Sequence, residues 1–338
     1  MRTLLKKLRI LSLLLCLPAF WIGAQCAHAE EKAPPRPVLR IGFMPLMSHL
    51  TIPVAYELGK GAFKTFRMKL VKFTSWPDME TALQEGSLDG AVFVPTVGDL
   101  LQKWGYSCVA EGCENDSALV IGKWTGIETP RDLKGRVSVI AVPHMQSIQN
   151  VNLYRFCVQN GIAYGKEIKV VSMSPTDMLA SLMRKETQGF INSEPYCYIA
   201  DAKMIGKIMA YAKDIWPSHP GGVVVVRRKL IEENPALVQE FVDAVVDAGE
   251  YIENNPREAA SLVSSYFGMD QAIIRAVLEK PFDRVSYGDL MLDRGTFDRI
   301  RHFKEKMGLI PPGQEPPYAG FIDDRFVERA YERIRKTE

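Results

Sequence analysis

Two of the five histidines lie in short polar turns, each between a predicted strand and a predicted helix. His49 follows the apolar stretch Leu39–Phe43, and His144 follows Val137–Val142. An imidazole can donate a hydrogen bond to an anion or coordinate a metal ion. Both histidines are therefore candidate ligand-binding residues, and the alternative for each is a surface or helix-capping role.

Other side chains around these turns could contact the same ligand. Hydroxyl groups could donate hydrogen bonds and aromatic rings could form an apolar wall, although serines also cap helices and aromatic rings also pack in cores. Glu194 could bind a ligand amine, orient a histidine or pair with a lysine such as Lys203. Methionines at such positions fill gaps in the core more often than they bind ligands. These further candidates are Met47, Ser48, Trp76, Thr96, Met145, Ser147, Glu194 and Tyr196.

The elements that would position these residues alternate between strands and helices up to about residue 230. This alternation predicts an α/β sheet. Beyond Leu230, apolar residues at three- and four-residue spacing predict helices. The predicted strands are Leu39–Phe43, Lys69–Phe73, Ala91–Val94, Val137–Val142, Ile168–Met173, Gly189–Asn192 and Val223–Arg227.

The sequence repeats itself at a spacing of 99 residues, without a gap. Ser48 falls on Ser147, and the stretch 73–93 overlays 172–192. Both stretches carry Ser-x-x-Asp ahead of a helical pattern, which resembles a helix capping box. A constant register over both copies predicts two similar lobes.

Each predicted lobe would direct a polar turn and a helix N-terminus towards the carboxyl ends of its strands. Ligands bind at this edge of open α/β sheets. Backbone N–H groups and positive helix ends on both sides of a cleft favour a small anion or a carboxylate-sized group. A metal site is the alternative, because Met47, His49, His144, Met145 and Glu194 together would suit a soft to borderline metal ion.

The first 29 residues have the pattern of a secretory signal peptide. A basic start is followed by the apolar stretch Ile10–Gly23 and by Ala27–Ala29, a small-x-small cleavage site. We therefore expect cleavage after Ala29 and export to the periplasm. Lipidation at Cys26 is the competing interpretation, which we disfavour because Gln25 is a poor residue before a lipidated cysteine.

Charge and short motifs argue against several classes of protein. Beyond residue 29 the chain has 38 basic and 40 acidic residues, a net charge of −2. Nucleic-acid binders usually carry a basic stripe, so we expect no nucleic-acid partner. The sequence has no G-x-S-x-G elbow, P-loop, H-E-x-x-H or dinucleotide fingerprint, which favours a binding protein over an enzyme.

Four cysteines lie beyond residue 29. In an oxidising compartment four cysteines allow three disulfide connectivities. Pairing of Cys108 with Cys113 and of Cys157 with Cys197 is one expectation. Four buried free thiols are the alternative.

Three stretches carry a resemblance to a known family. They are TSWPDMETALQEGSLDGAVF (74–93), PRDLKGRVSV (130–139) and NSEPYCYIADAKMIGK (192–207). Together they resemble the periplasmic solute-binding proteins of nitrate/sulfonate/taurine-type ABC importers, whose ALxxGxxDxA pattern corresponds to Ala82–Ala91. Glu194–Tyr196 and Trp216–Arg228 look closest to the nitrate/bicarbonate branch. The second of these segments contains His219, which becomes a further candidate ligand residue.

The resemblance implies a type II periplasmic-binding-protein fold, in which two similar α/β lobes enclose a central cleft and the C-terminal part is helical. Lobe one would comprise 38–120 and 223–338, and lobe two 121–222. The protein would capture a small anionic or zwitterionic solute by lobe closure and deliver it to the permease and ATPase subunits of an ABC importer. It would be no enzyme and need no cofactor. A metal- or pyrimidine-binding protein, or an enzyme on the same fold, is the alternative.

Overall fold

The strands of this protein form two separate five-stranded sheets. The computed structural model describes residues 36–281, 283–313 and 320–336, so the predicted signal peptide lies outside the described residues. The strands are β1 Val38–Phe43, β2 Arg67–Lys72, β3 Gly90–Phe93, β4 Tyr106–Glu114, β5 Ser117–Gly122, β6 Ser138–Val142, β7 Ile168–Ser172, β8 Gly189–Ser193, β9 Gly206–Tyr211 and β10 Pro220–Arg227.

The first sheet has the strand order β2-β1-β3-β10-β4, and the second has the order β7-β6-β8-β5-β9. In each sheet three strands run parallel, and the remaining two are antiparallel to their neighbours. The chain leaves the first sheet after β4 and returns to it as β10 once the second sheet is complete. β10 is buried along most of its length because it lies between two other strands, which explains its uninterrupted run of valines.

The repeat of 99 residues appears in the strand register. Ile41 pairs with Gly90 in the first sheet, and Ile140 pairs with Gly189 in the second. A β-carbon on Gly90 would lie 2.6 Å from a carbonyl oxygen of β10, and one on Gly189 would lie 2.4 Å from a carbonyl oxygen of β5. Both positions need glycine for the same reason, since the neighbouring backbone approaches too closely for a side chain. The prediction of two similar α/β lobes is confirmed.

Helices cover the faces of both sheets and make up most of the chain after β10. They are α1 Thr51–Gly59, α2 Trp76–Gln84, α3 Gly98–Lys103, α4 Ile148–Asn160, α5 Pro175–Met183, α6 Tyr196–Ala202, α7 Ala212–Ile215, α8 Arg228–Glu233, α9 Pro235–Asn254, α10 Pro256–Phe267, α11 Gln271–Glu279, α12 Arg294–Lys306 and α13 Arg325–Arg335. In the described part of the chain, no helix is long and apolar enough to cross a membrane.

Equivalent serines begin α2 and α5. Ser75 Oγ accepts a hydrogen bond from the Asp78 N–H at 3.3 Å, and Ser174 Oγ accepts one from the Asp177 N–H at 3.2 Å. These bonds satisfy backbone donors that the first turn of a helix leaves without intrahelical partners. The Ser-x-x-Asp pattern of the repeat therefore marks the true start of a helix in both copies.

All four cysteines beyond residue 29 are buried free thiols. The expected pairing of Cys108 with Cys113 and of Cys157 with Cys197 is therefore wrong. Each cysteine packs in an apolar core, and burial raises the pKa of every one of the four thiols. For Cys157 the pKa rises to about 12, so the thiol is protonated and unreactive at neutral pH.

Candidate functional site

A cavity of about 290 Å³ lies between segments that follow strands of both sheets. The first-sheet side contributes the start of α2 and the segment from β3 into α3. The second-sheet side contributes the turn between β6 and α4. The wall consists of Trp76, Glu80, Phe93, Val94, Val97, Asp99, Leu100, Pro143, His144, Gln146, Lys304 and Ile310.

Trp76 forms the aromatic part of the wall. Its ring meets Phe93 edge to face, with centroids 5.3 Å apart, and lies 5.7 Å from the ring of His49. The indole Nε1 is buried and has no hydrogen-bond partner among the described residues. Trp76 therefore offers a flat apolar face together with an unused N–H donor.

Besides His144, three ionisable side chains lie on the wall, and sequence reasoning missed all three. They are Glu80 of α2, Asp99 of α3 and Lys304 of α12. Lys304 is only 3% exposed, and its ammonium donates a hydrogen bond to the Thr96 carbonyl at 2.6 Å. Burial lowers the pKa of Lys304, while the nearby Asp99 opposes this change.

The position of α12 explains how a residue so late in the chain reaches the cavity. Ile300 packs with Ile148 and Val151 of α4 and with Trp216, which fixes α12 against the second-sheet side. One turn further along, Lys304 reaches Thr96 on the first-sheet side. A signal for Lys304 did exist in the sequence, because it continues the spacing of Phe297 and Ile300 on the buried face of the helix.

The two histidines of the repeat occupy different environments. His49 is buried, and its Nδ1 accepts a hydrogen bond from the Met44 N–H at 3.2 Å, which leaves the proton on Nε2. Burial lowers the pKa of His49 to about 3, so the ring is neutral and supports Trp76 from behind the wall. His144 is an exposed side chain on the cavity wall.

Ser147 and His219 have structural partners. Ser147 begins α4, and its Oγ accepts a hydrogen bond from the Asn150 N–H at 3.2 Å. The ring of His219 is fully buried between the Trp216 carbonyl at 2.8 Å and the Asn152 amide at 3.0 Å. Burial lowers the pKa of His219 to about 4, so Nδ1–H donates to the carbonyl and Nε2 accepts from the amide.

Glu194 is bound within the protein. Its Oε1 lies 2.8 Å from Nε of Arg284, and both side chains are almost completely buried. Its Oε2 accepts a hydrogen bond from the Tyr198 N–H at 2.9 Å. The sequence suggested a ligand amine, a histidine or a lysine such as Lys203 as the partner, whereas the structure provides an arginine from 90 residues further along the chain.

The remaining candidates differ in exposure. Met47 and Tyr196 belong to the apolar cores of the first-sheet side, whereas Met145 is 37% exposed beside the cavity turn. Thr96 is fully buried, and within the described part of the chain its hydroxyl has no hydrogen-bond partner. Ser48 is buried and lowers the pKa of Asp116, which lies between β4 and β5 where the chain passes from one sheet to the other.

The residues proposed for a metal site do not come together. Glu194 is engaged by Arg284, Met47 is in the core, and His144 is exposed. Over residues 36–281, 283–313 and 320–336, no three histidine, cysteine, aspartate or glutamate side chains are grouped to hold a metal ion. The cavity instead combines an apolar wall with one ammonium and two carboxylates, which suits non-covalent binding of a small polar molecule.

The two sheets around this cavity define the fold of the periplasmic binding proteins. The ligand-binding component of an ABC-type import system from Staphylococcus aureus, solved with zinc bound, superimposes with a TM-score of 0.78 at 22% identity, over 87% of this chain and 99% of that chain. The periplasmic nitrate-binding protein NrtA from Synechocystis superimposes with a TM-score of 0.76 at 16% identity, over 89% of this chain and 90% of that chain. The type II periplasmic-binding-protein fold is thereby confirmed.

The chain belongs to the NMT1-like family, whose sequence profile matches residues 32–105 and 127–265. Among curated relatives, the nitrate import ATP-binding protein NrtC of Synechocystis is 27% identical over 255 residues, which are 70% of this chain and 38% of the relative. The chain thus spans less than two-fifths of the length of the curated relatives that it matches first. The family resemblance inferred from the motifs is confirmed.

Proposed function

We propose that this protein is the extracytoplasmic solute-binding component of an ABC importer. It captures a small anionic or zwitterionic solute and delivers it to a membrane permease that works with ATPase subunits. The observation that carries this proposal is the cavity, because turns from both sheets and a helix of the C-terminal part line it together. Relatives named as parts of nitrate and bicarbonate import systems support the same role.

In this proposal each sheet belongs to one lobe, and the protein acts in the periplasm. The boundaries expected at 120/121 and 222/223 each move by a few residues, because β5 (Ser117–Gly122) lies wholly in the second sheet and β10 (Pro220–Arg227) wholly in the first. The chain passes between the two sheets at residues 115–116 and again between β9 and β10. Two crossing segments form a hinge about which the lobes can close on a ligand. Capture of this kind makes and breaks no covalent bond, so the role is binding and not catalysis.

We expect the ligand to stabilise the protein against heat. Protein freed of any carried ligand by unfolding and refolding would be heated with nitrate, bicarbonate, taurine, alkylsulfonates or pyrimidines. A ligand at 100 times its dissociation constant adds about 2.7 kcal/mol to the free energy of unfolding, because it binds only the folded state. A raised melting temperature with one class of solute supports the proposal, and no shift with any compound, at concentrations up to 10 mM, contradicts it.

We expect Trp76→Ala to raise the dissociation constant of the stabilising solute at least tenfold. The substitution removes the aromatic wall and the unpaired indole N–H, and one lost hydrogen bond alone is worth about 1 kcal/mol. Trp124→Ala is the matched control, since Trp124 is 40% exposed and lies outside the cavity wall. Calorimetric titration measures both, and equal affinities of the two variants would contradict the assignment of the cavity.

A further inference from the structure

We propose that the solute is an organic zwitterion whose acidic group binds Lys304 and whose cationic group binds Asp99 and Glu80. Its apolar body lies against Trp76. This inference rests on the proposed function and narrows its ligand class, because it excludes inorganic anions such as nitrate and bicarbonate as the main solute.

The size of the cavity favours an organic molecule. A water molecule occupies about 30 Å³ in the liquid, so the cavity of about 290 Å³ corresponds to roughly ten waters. Pockets for organic ligands begin at about 300 Å³. An ion with four heavy atoms would leave most of this space to water and would leave the apolar wall unused.

The charges on the wall disfavour a solute that is only an anion. The wall has one ammonium group, on Lys304, and two carboxylates, on Asp99 and Glu80. A simple anion would be attracted by the ammonium group and repelled by both carboxylates. A cationic group on the same solute turns that repulsion into attraction, and the excess of acidic groups therefore points to a ligand that carries an amine or a similar cation.

Lys304 has the environment of a binding residue and not of a surface lysine. Its ammonium has three donors, and the Thr96 carbonyl accepts a hydrogen bond from one of them at 2.6 Å. A buried charge is costly unless it is paired and fully hydrogen-bonded. The helix that carries Lys304 is fixed by Phe297 and Ile300, which are both buried, so the ammonium cannot easily withdraw to solvent. An acidic group of the solute would satisfy its remaining donors.

Unused hydrogen-bonding groups surround the same cavity. Trp76 Nε1 and Gln146 Oε1, both on the cavity wall, are buried and have no hydrogen-bond partner in the described chain. Such atoms are rare in folded proteins, because each one costs about 1–3 kcal/mol. The indole N–H can donate to the acidic end of a solute, and the amide oxygen of Gln146 can accept from a cationic end. This set matches a zwitterion better than it matches either ion alone.

The apolar residues of the wall imply that the two charged groups are separated by carbon. Phe93, Val97, Leu100 and Ile310 lie on the wall with Trp76. Burial of a methylene group contributes about 0.8 kcal/mol, so a chain or ring between the charged ends adds affinity that a compact ion cannot gain. The proposed ligand is thus an amino acid or amino sulfonate whose two charged groups are held apart by such a spacer.

Matched compounds test this inference by calorimetric titration of the refolded protein. Each zwitterion is compared with the molecule lacking its amine and with the molecule lacking its acid: 6-aminohexanoate with hexanoate and hexylamine, 4-(aminomethyl)benzoate with 4-methylbenzoate and 4-methylbenzylamine, and taurine with ethanesulfonate and ethylamine. Nitrate and bicarbonate complete the series. We expect at least one zwitterion to bind tenfold or more tightly than both of its truncated partners.

Charge-removing variants assign the two ends of the bound zwitterion. Lys304→Met should weaken binding of the zwitterion at least tenfold and leave binding of the amine-only compound unchanged. The double variant Asp99→Asn with Glu80→Gln should weaken binding of the zwitterion without weakening binding of the acid-only compound. Lys306→Met is the control, because Lys306 is an exposed lysine on the same helix and outside this wall. Circular dichroism melting of each unliganded variant verifies that it is folded.

Different negative results would overturn the inference alone or the inference together with the proposed function. Nitrate, bicarbonate or ethanesulfonate binding as tightly as every zwitterion would overturn the inference and leave the proposed function intact. Zwitterion binding that Lys304→Met and Lys306→Met affect equally would also overturn it. If none of these compounds binds, and none of the solutes tested by thermal unfolding binds, both the inference and the proposed function are overturned.

Discussion

Arg284→Met should lower the free energy of unfolding by about 3–5 kcal/mol. Removing one partner of a buried ion pair leaves the other charge without compensation, which is among the costliest single substitutions in a protein. The carboxylate left without a counter-charge would be that of Glu194, which is fully buried and whose Oε1 lies 2.8 Å from Nε of Arg284. The substitution would also remove the contacts of the guanidinium with the rings of Tyr198 and Tyr211. Urea unfolding followed by circular dichroism measures the loss.

Two further variants serve as controls for Arg284→Met. Arg184 and Glu186 form an ion pair of similar length, 2.7 Å, but both side chains are more than half exposed. Arg184→Met should therefore leave the free energy of unfolding almost unchanged, because an exposed ion pair contributes little. The double variant Arg284→Met with Glu194→Gln should recover part of the loss, because no buried charge remains. An Arg284→Met protein as stable as Arg184→Met would contradict the burial of this pair.

Asp116 should make the protein less stable as the pH rises. Its carboxyl group is fully buried, and burial raises its pKa from 3.8 to about 6, although hydrogen bonds from Ser48 and Ser193 oppose this change. The folded protein then binds the proton more tightly than the unfolded chain does. The stabilisation is complete below pH 3.8 and is lost as the pH rises through about 6. A difference of roughly two pKa units corresponds to about 3 kcal/mol.

The comparison with Asp116→Asn isolates this effect from other titrating groups, including the neighbouring Glu194. The stability of the original protein minus that of the variant should fall by about 2 kcal/mol between pH 4 and pH 7, because part of the full difference lies below pH 4. Asp132→Asn is the control, because hydrogen bonds from Thr129 and Glu128 lower the pKa of Asp132 at the surface, so its contribution changes mainly below pH 4 and stays nearly constant from pH 4 to pH 7. A difference for Asp116→Asn that is constant from pH 4 to pH 7 would contradict the assigned burial.

The repeat made the fold predictable from the sequence. Ile41 and Ile140 occupy equivalent positions in the two sheets, because each pairs with the equivalent glycine of the neighbouring strand. Three strands were missed, namely β4, β5 and β9. β4 contains Glu111, a fully buried carboxyl group whose pKa is raised by burial, and an acidic residue interrupts the apolar pattern by which buried strands are recognised.

The binding site was predictable only in part. Trp76 and His144 were predicted from their places after strand ends, and the structure places both on the cavity wall. Lys304 follows the buried-face spacing of its helix, but its place at the cavity was missed because its partner Thr96 lies 208 residues earlier in the chain. Glu194 and His219 have residue types typical of ligand-binding sites, but they are bound by Arg284 and Asn152. Only the folded chain reveals such partners, since spacing in the sequence does not encode them.

Hydrogen–deuterium exchange with and without the most strongly stabilising solute tests the central claim most directly, namely that one solute is held between the two sheets. We expect slower exchange both in 94–100, on the first-sheet side, and in 143–149, on the second-sheet side, because both segments contribute to the cavity wall. Peptides from 166–172, at the edge of the second sheet, serve as the internal reference. Protection confined to one of the two segments, or spread equally to the reference peptides, would contradict capture between the sheets.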